Sequence, residues 1–198
     1  MFKILNKLYV KIQNMKNPSS EINVFDVAKY IIEKQGRIST LKLQKLIYYS
    51  YVWTYTFHGE MLFTDPIQAW TNGPVTPSLW LKMKYENHVD TCKFSKNSSE
   101  KIPNDIKHTI DRVLLTYGDM TGEQLKNLTH QEGPWNHART GLSPDEPSKK
   151  EITLDSIERF YGNPEQYLKI KHINNKRPLG FLNCKIPDEF YQPINYEH

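Results

Sequence analysis

Three side chains able to bind a metal or transfer a proton, His130, Glu132 and His137, lie within eight residues of one another. Imidazole and carboxylate groups are the usual ligands of zinc and the usual general acids and bases. A zinc-binding helix places its ligands at i and i+4, whereas His130 and Glu132 would point to different faces of a helix. Gly133-Pro134 interrupts the geometry before His137, and no cysteine or acidic cluster lies nearby. We therefore predict no metal, no cofactor and no catalytic role for these residues.

The same residues suit a structural role. His130 and Gln131 are expected to hydrogen-bond the turn that follows a short helix, where Pro134 leaves carbonyl groups without partners. The chain has no phosphate-binding glycine-rich loop, paired catalytic carboxylates or activated serine or cysteine. A binding protein is thus predicted rather than an enzyme. A hydrolase or transferase of a phage-defence system stays an alternative, which a bound metal, or a loss of activity in His130→Ala with binding intact, would support.

Two tryptophans, Trp70 and Trp135, each stand beside a Gly-Pro pair. A tryptophan packed under a rigid turn is usually a core residue, but tryptophan is also enriched among interface hot spots. Asn72 and Gly73, in the turn after Trp70, are expected to be exposed. Trp70, Asn72 and Gly73 are therefore candidate partner-binding residues.

The charge distribution separates the N-terminus from the rest of the chain. The formal net charge is +4 over 198 residues, and the first twenty residues carry Lys3, Lys7, Lys11 and Lys16 with no acidic residue. The remaining chain is therefore neutral overall. A nonspecific nucleic-acid binder needs a dense basic surface, so nucleic acid is an unlikely partner.

Targeting and redox signals are weak. Cys92 and Cys184 are too far apart for a CxxC motif, which indicates reduced thiols. Lysine and asparagine interrupt the apolar runs at the N-terminus, and no run approaches the length of a membrane span. We expect a cytoplasmic protein without a membrane partner.

Helical spacing of apolar residues predicts a mainly α protein, a single compact helical domain with a small β-ribbon. The longest predicted helix opens at Ser39 or Thr40, reaches Phe57 and stops at Gly59; it is apolar nearly all round and is expected to be central. Glu60 to Val75 contains the predicted ribbon. Another predicted helix begins at Ile22, with Ser20 or Asn23 as its cap, and ends just before Gly36. The remaining predicted helices run from Pro77 to about Tyr85, Ile106 to Tyr117, Leu125 to His130 (after a Thr121–Gln124 capping box), Trp135 to Arg139 and Thr153 to Phe160, with a loop over 87–102.

The two ends differ from this domain. Residues 1–20 are predicted to form a basic amphipathic helix and hinge, residues 21–162 the folded domain, and residues 163–198 an irregular, extended tail. The helix is expected to pack on its own domain or on a partner. Partner contacts are predicted for Phe2, Leu5, Tyr9 and Ile12 of the helix and for Phe181, Phe190 and Tyr191 of the tail.

The motifs, in their order along residues 22–161, resemble the Panacea antitoxin domain family, which includes SocA-like antitoxins and phage-associated GepA-like proteins. Leu43-Gln-Lys-Leu-Ile-Tyr-Tyr49, Trp70-x-x-Gly-Pro-Val75, Tyr117-Gly-Asp119 and Leu128-Thr-His-Gln-Glu-Gly-Pro-Trp135 carry the resemblance, with Ala138-Arg139 and a closing Ile-Thr-x-x-x-Ile segment. The motif residues with an expected structural role are Gln44, Lys45, Tyr48, Tyr49, Pro74, His130, Gln131, Glu132, Pro134 and Trp135.

The resemblance implies a mostly helical antitoxin that neutralises a cognate protein toxin by direct contact, the toxin usually being encoded alongside it. It also implies that such a protein can present its toxin to a cytosolic protease. The alternative is a DNA-binding autoregulator, with Gly36 to Leu46 as the turn and second helix of a helix-turn-helix. That second helix is too apolar for a major groove.

Overall fold

The structure is a computed structural model that describes residues 22–162. Its helices are α1 (Val24–Gln35), α2 (Thr40–His58), α3 (Pro77–Lys82), α4 (Asn104–Tyr117), α5 (Gly122–Thr129), α6 (Gly133–Ala138) and α7 (Leu154–Tyr161). The strands are β1 (Ile38–Ser39), β2 (Gln68–Trp70), β3 (Gly73–Val75) and β4 (His88–Val89). The predicted mainly helical class is confirmed. None of the helices in this part of the chain is long and apolar enough to cross a membrane.

Helix α2 is the centre of the domain, as its sequence predicted. Every residue from Leu43 to Tyr55 is buried, and α1, α4, α5 and α7 all pack against the helix. Its first turn is capped by Ser39, whose Oγ accepts a hydrogen bond from the Lys42 amide at 3.3 Å. It ends at Gly59, which adopts the left-handed conformation (φ 72°) that glycine tolerates best.

Side-chain caps set the starts of two other helices. Asn23 caps α1: its Oδ1 accepts the amides of Phe25 and Asp26 at 2.9 and 3.0 Å. Of the two caps that the sequence allowed, Asn23 is therefore the one used. Thr121 and Gln124 form the predicted capping box of α5, with bonds of 2.8 and 3.2 Å.

The predicted ribbon is the antiparallel pair β2–β3, in which Trp70 faces Gly73 and Gln68 faces Val75. Residues 150–152 extend it, because the Lys150 carbonyl accepts from the Ala69 amide and the Ile152 amide donates to the Ile67 carbonyl. A second antiparallel pair, β1–β4, joins Ile38 to Val89. This second pair was not predicted, since strands of two residues leave no alternation to detect.

The interpretation of residues 87–102 as a loop was wrong in part. The segment contains β4 and two 3-10 turns, Thr91–Phe94 and Ser99–Lys101. Val89, Phe94 and Ile102 anchor it in the core. These three apolar residues hold an otherwise polar segment in place, and three residues are too few to produce a periodic pattern in the sequence.

Gly133-Pro134 begins a helix instead of only interrupting the chain before His137. Helix α5 already ends at Thr129, and Gly133 and Pro134 form the first turn of α6, a helix that was predicted to begin at Trp135. Proline suits a first helical turn because its missing N–H would have had no partner there.

Candidate functional site

The motif residues meet in one buried region, which we call the motif seam. It joins α2 to the β2–β3 ribbon and to the segment from α5 to α7. Its principal members are Gln44, Lys45, Tyr49, Gly73, Pro74, Glu132, Trp135, Arg139 and Tyr161.

Gln44 fixes the end of the ribbon to α2. Its Nε2 donates to the Thr76 carbonyl at 3.3 Å, and its Oε1 accepts from the Thr76 amide at 2.9 Å. A buried side-chain amide thus completes both backbone hydrogen-bonding groups of one residue, as a neighbouring strand would. The position requires an amide of this length.

Lys45 lies fully inside the seam, with 0% of its surface exposed. Its Nζ donates to the Pro74 carbonyl at 2.8 Å. Burial and, to a smaller extent, the nearby Lys126 ammonium lower the pKa of Lys45 to about 7, against an opposing effect of Glu123. The lysine is therefore a hydrogen-bond donor to the ribbon rather than a surface charge.

Gly73 packs directly on Lys45. A Cβ at this position would lie 2.8 Å from Lys45 Cε and 2.8 Å from Thr129 Oγ1, and the backbone has a φ of +90°. The expected exposure of Gly73 is wrong, because the close approach of the ribbon to α2 buries it; Asn72 is exposed as expected. Glycine is required here by space and by backbone conformation.

Glu132 is a buried carboxyl group among tyrosines. Its Oε1 accepts from the Tyr49 hydroxyl at 3.0 Å and its Oε2 from the Tyr161 hydroxyl at 2.6 Å, while the Tyr48 and Tyr161 hydroxyls lie 3.4 Å apart. Burial raises the pKa of Glu132 to about 8, although both hydroxyls act to lower it. Burial also raises the hydroxyl pKa of the three tyrosines. Tyr48 and Tyr49 are buried in the core, and their hydroxyls have hydrogen-bond partners inside it.

Trp135 connects α6 to the ribbon. It is buried, and its Nε1 donates to the Trp70 carbonyl at 2.9 Å. The His130 ring stacks on it, with centroids 3.8 Å apart and planes at 11°. Burial and the positive charge of Lys45 lower the pKa of His130 to about 4, so the imidazole is neutral at neutral pH.

The prediction that His130 hydrogen-bonds the turn is wrong. Within residues 22–162 its buried Nε2 has no hydrogen-bond partner. Asn136 performs the predicted task, because its Nδ2 donates to the His130 carbonyl at 2.7 Å and to the Glu132 carbonyl at 3.0 Å. Gln131 is exposed on the same turn, and its backbone N–H donates to the Leu128 carbonyl. Pro134 is buried.

Arg139, like Tyr161, is a seam residue for which no role was predicted. Its Nη1 donates to the Ala69 carbonyl at 3.1 Å, and its Nη2 lies 2.8–3.0 Å from the carbonyls of Ser143, Pro144 and Glu146. The guanidinium also lies 5.1 Å from the Trp135 ring. A Pro/Ser-rich loop directly after an arginine was the available signal, since such a loop leaves carbonyls without backbone partners.

The potential acid–base residues do not assemble a reactive site. The His130 ring faces Trp135, the Glu132 carboxyl group faces the tyrosines, and His137 is exposed. Within residues 22–162, no group of three or more His, Cys, Asp or Glu residues could hold a metal ion. The polar groups of the seam are instead hydrogen-bonded to one another and to the backbone.

Helix α2 cannot serve as the recognition helix of a helix-turn-helix. Residues Leu43 to Tyr55 are buried by neighbouring helices, whereas a recognition helix exposes polar side chains to base edges. The hypothesis that placed this helix in a major groove is therefore wrong.

The exposed part of the candidate site lies on α3 and the turn after it. Trp70 is half-buried and meets Trp80 edge to face, with centroids 5.2 Å apart. Trp80, Leu81, Lys84 and Tyr85 continue this surface, which we call the α3 patch. The α3 patch was not predicted from the sequence, although Leu79 and Met83, buried at i and i+4, define the opposite face.

Seven candidate contact residues lie outside the described residues, and their roles stay predictions. They are Phe2, Leu5, Tyr9, Ile12, Phe181, Phe190 and Tyr191.

Comparison with known proteins places most of the seam, but not Arg139 or Tyr161, inside a shared region. The family model described as "Antitoxin SocA-like, Panacea domain" matches residues 43–136. Antitoxin SocA of Caulobacter vibrioides (strain NA1000 / CB15N) is 30% identical over 130 residues, which cover 58% of this chain and 69% of that protein. No solved structure matches the chain.

Proposed function

Because this chain belongs to the family of SocA-like antitoxins with a Panacea domain, we propose that it neutralises a cognate protein toxin by binding it directly. The observation that carries the proposal is the relationship to Antitoxin SocA over more than two thirds of that protein. The toxin is the product of an adjacent gene, and the complex forms in the cytoplasm.

The structure of the seam supports a binding role rather than a catalytic one. Lys45 and Arg139 donate to backbone carbonyls, and Glu132 accepts from two tyrosine hydroxyls. Groups committed to such bonds stabilise a rigid domain and are unavailable to a substrate. A rigid domain binds a partner with a smaller entropy loss than a flexible one.

Coexpression tests the proposal. The full chain is produced together with the protein encoded by the adjacent gene, and growth and copurification are measured. We expect the adjacent gene alone to arrest growth, and the chain to restore growth and to copurify with its product. Arrest that persists while a folded chain is present, with no copurification, would reject the proposal.

The extensions form the second part of the proposal. Residues 21–162 form the neutralising unit, and the predicted basic helix in residues 1–20 and the tail after residue 162 add partner-specific contacts. Deleting residues 1–16 should weaken neutralisation while the thermal unfolding midpoint of the domain stays the same. Full protection by the shortened chain would exclude the helix from toxin binding.

A further inference from the structure

Exposed large hydrophobic side chains are concentrated at one place. Within residues 22–162 they are Trp80, Leu81, Tyr85 and Leu115, and three of the four belong to the α3 patch. Leu81 is 66% exposed and Tyr85 92% exposed. A single exposed leucine such as Leu115 is ordinary, but a contiguous group that includes Trp and Tyr is typical of an interaction surface.

Tyr85 is not explained by the fold. Its φ of +73° lies in the left-handed region, the one such non-glycine residue in the part of the chain that the structure describes. A bulky side chain is unfavourable in that conformation, and a ring that is 92% exposed gains almost no packing in return. A glycine would suit the backbone better, so the tyrosine ring is expected to have a use outside the domain.

The charged residues of the patch segment have one sign. Lys82 and Lys84 are the only charged residues between Pro77 and Tyr85. The nearby carboxylates already have partners, because Asp65 accepts from the Ser78 hydroxyl of α3 and Glu86 is paired with Lys93. Lys84 Nζ lies 5.6 Å from the Trp80 ring and 4.9 Å from the Tyr85 ring, so the ammonium lies beside both aromatics. An acidic surface is the complement of this arrangement.

The patch is held on a rigid support. Trp80 packs against Trp70, whose carbonyl accepts the Trp135 indole N–H of the motif seam. Leu79 and Met83, on the opposite face, are buried in the core. The Trp80 ring is therefore placed before any partner arrives, which lowers the entropy cost of binding.

We propose that the α3 patch is the docking surface for the toxin, and that it receives an acidic surface with exposed apolar side chains. This inference rests on the proposed function and names its contact site. Trp80, Leu81 and Tyr85 supply the apolar contact, and Lys84 pairs with a carboxylate of the toxin.

Two pairs of variants of the full chain test the site. Leu81→Asp is compared with Leu115→Asp, because Leu115 is 75% exposed on α4. Lys84→Glu is compared with Lys149→Glu, another exposed lysine, in the loop before α7. Binding to the purified product of the adjacent gene is measured by titration calorimetry, with thermal unfolding of each variant as the check on folding. We expect Leu81→Asp and Lys84→Glu to raise the Kd at least tenfold, and both controls to change it less than twofold.

The outcomes separate this inference from the proposed function. If the unaltered chain neither binds the product nor restores growth, the proposed function fails and the inference fails with it. If the unaltered chain binds and both patch variants bind equally well, only the docking surface is rejected. Two further results would also reject the docking surface. A homodimer that Leu81→Asp dissociates without loss of toxin binding would mean that a second copy of the chain covers the patch. A loss of stability in Leu81→Asp that disappears when residues 1–16 are deleted would mean that those residues cover it.

Discussion

The motif seam and the α3 patch use similar side chains for opposite purposes. In the seam, Lys45 and Trp135 are buried and hydrogen-bonded to the backbone of the ribbon. In the patch, Lys84 and Tyr85 are exposed, and the tyrosine adopts an unfavourable backbone conformation. The most recognisable residues of the chain therefore maintain the domain, and less recognisable ones present a surface. Changes in the seam should act on stability first, whereas changes in the patch should leave stability almost unchanged.

The largest effect is expected for Gly73→Glu. The new side chain would collide with Lys45 and Thr129, adopt a strained φ and bury a carboxylate. Together these should lower the free energy of unfolding by about 5 kcal/mol. Urea denaturation measures the loss, and Lys96→Glu at an exposed site is the control. Equal stability of the two variants would show that the turn after Trp70 is not tightly packed.

Glu132→Gln should change the pH dependence of stability. The pKa of Glu132 is about 8 in the folded protein, above its ordinary value of 4.5, so the folded state keeps a proton that the unfolded state releases. The stabilisation from this group is complete below about pH 4.5 and is lost as the pH rises through 8. Glutamine does not titrate. The free energy of unfolding of the variant, relative to that of the unaltered chain, should therefore rise by on the order of 4 kcal/mol from pH 5 to pH 8.

Thermal unfolding at several pH values measures this gain. Lys45 and His130 titrate in both proteins, so their contributions cancel in the difference. A constant difference between the two proteins over this range would mean that Glu132 ionises normally in the fold.

Arg139→Lys should have a moderate effect. An ammonium group cannot reach the Ala69 carbonyl and the three loop carbonyls together, so buried acceptors lose their donor, at a cost of about 2 kcal/mol. Arg159→Lys is the matched control, since Arg159 is exposed and makes an i,i+4 ion pair with Asp155. That change should cost less than about 0.5 kcal/mol. Similar unfolding midpoints for both variants would contradict the anchoring role of Arg139.

The smallest effect, and one of opposite sign, is expected for Tyr85→Gly. Glycine removes the left-handed strain and sacrifices little packing, so the variant should be about 1 kcal/mol more stable than Tyr85→Ala, which keeps that conformation. Chemical denaturation of the two variants gives the difference directly. A less stable glycine variant would mean that the backbone at this position is not under strain.

Much of the fold could be predicted from the sequence, because long apolar repeats and side-chain caps are local signals. The central helix from Thr40 to His58 and the Thr121–Gln124 capping box are examples. The second ribbon could not be predicted, since Ile38 and Val89 are paired only by tertiary contact. Gly73 was misplaced for a related reason: its burial depends on Lys45, 28 positions earlier.

Several residues of the site could be identified from the sequence, but the contacts between them could not. The sequence marked Glu132 and Tyr49 as structural, yet no local rule connects a carboxyl group with a hydroxyl 83 residues earlier. The patch was overlooked because six helical residues produce a weak periodicity, and Tyr85 lies beyond the end of the helix. Exposure and backbone strain, which indicate the patch, are properties of the folded chain.

The Tyr161 hydroxyl bond to Glu132 determines where the chain can be cut. The family match ends at residue 136, but a fragment that ended there would lack both Tyr161 and Arg139. It would leave a buried carboxyl group with one donor fewer and remove the anchor of the ribbon. The shortest expressible antitoxin should therefore extend at least to residue 162, and fusion partners or affinity tags belong beyond the last turn of α7.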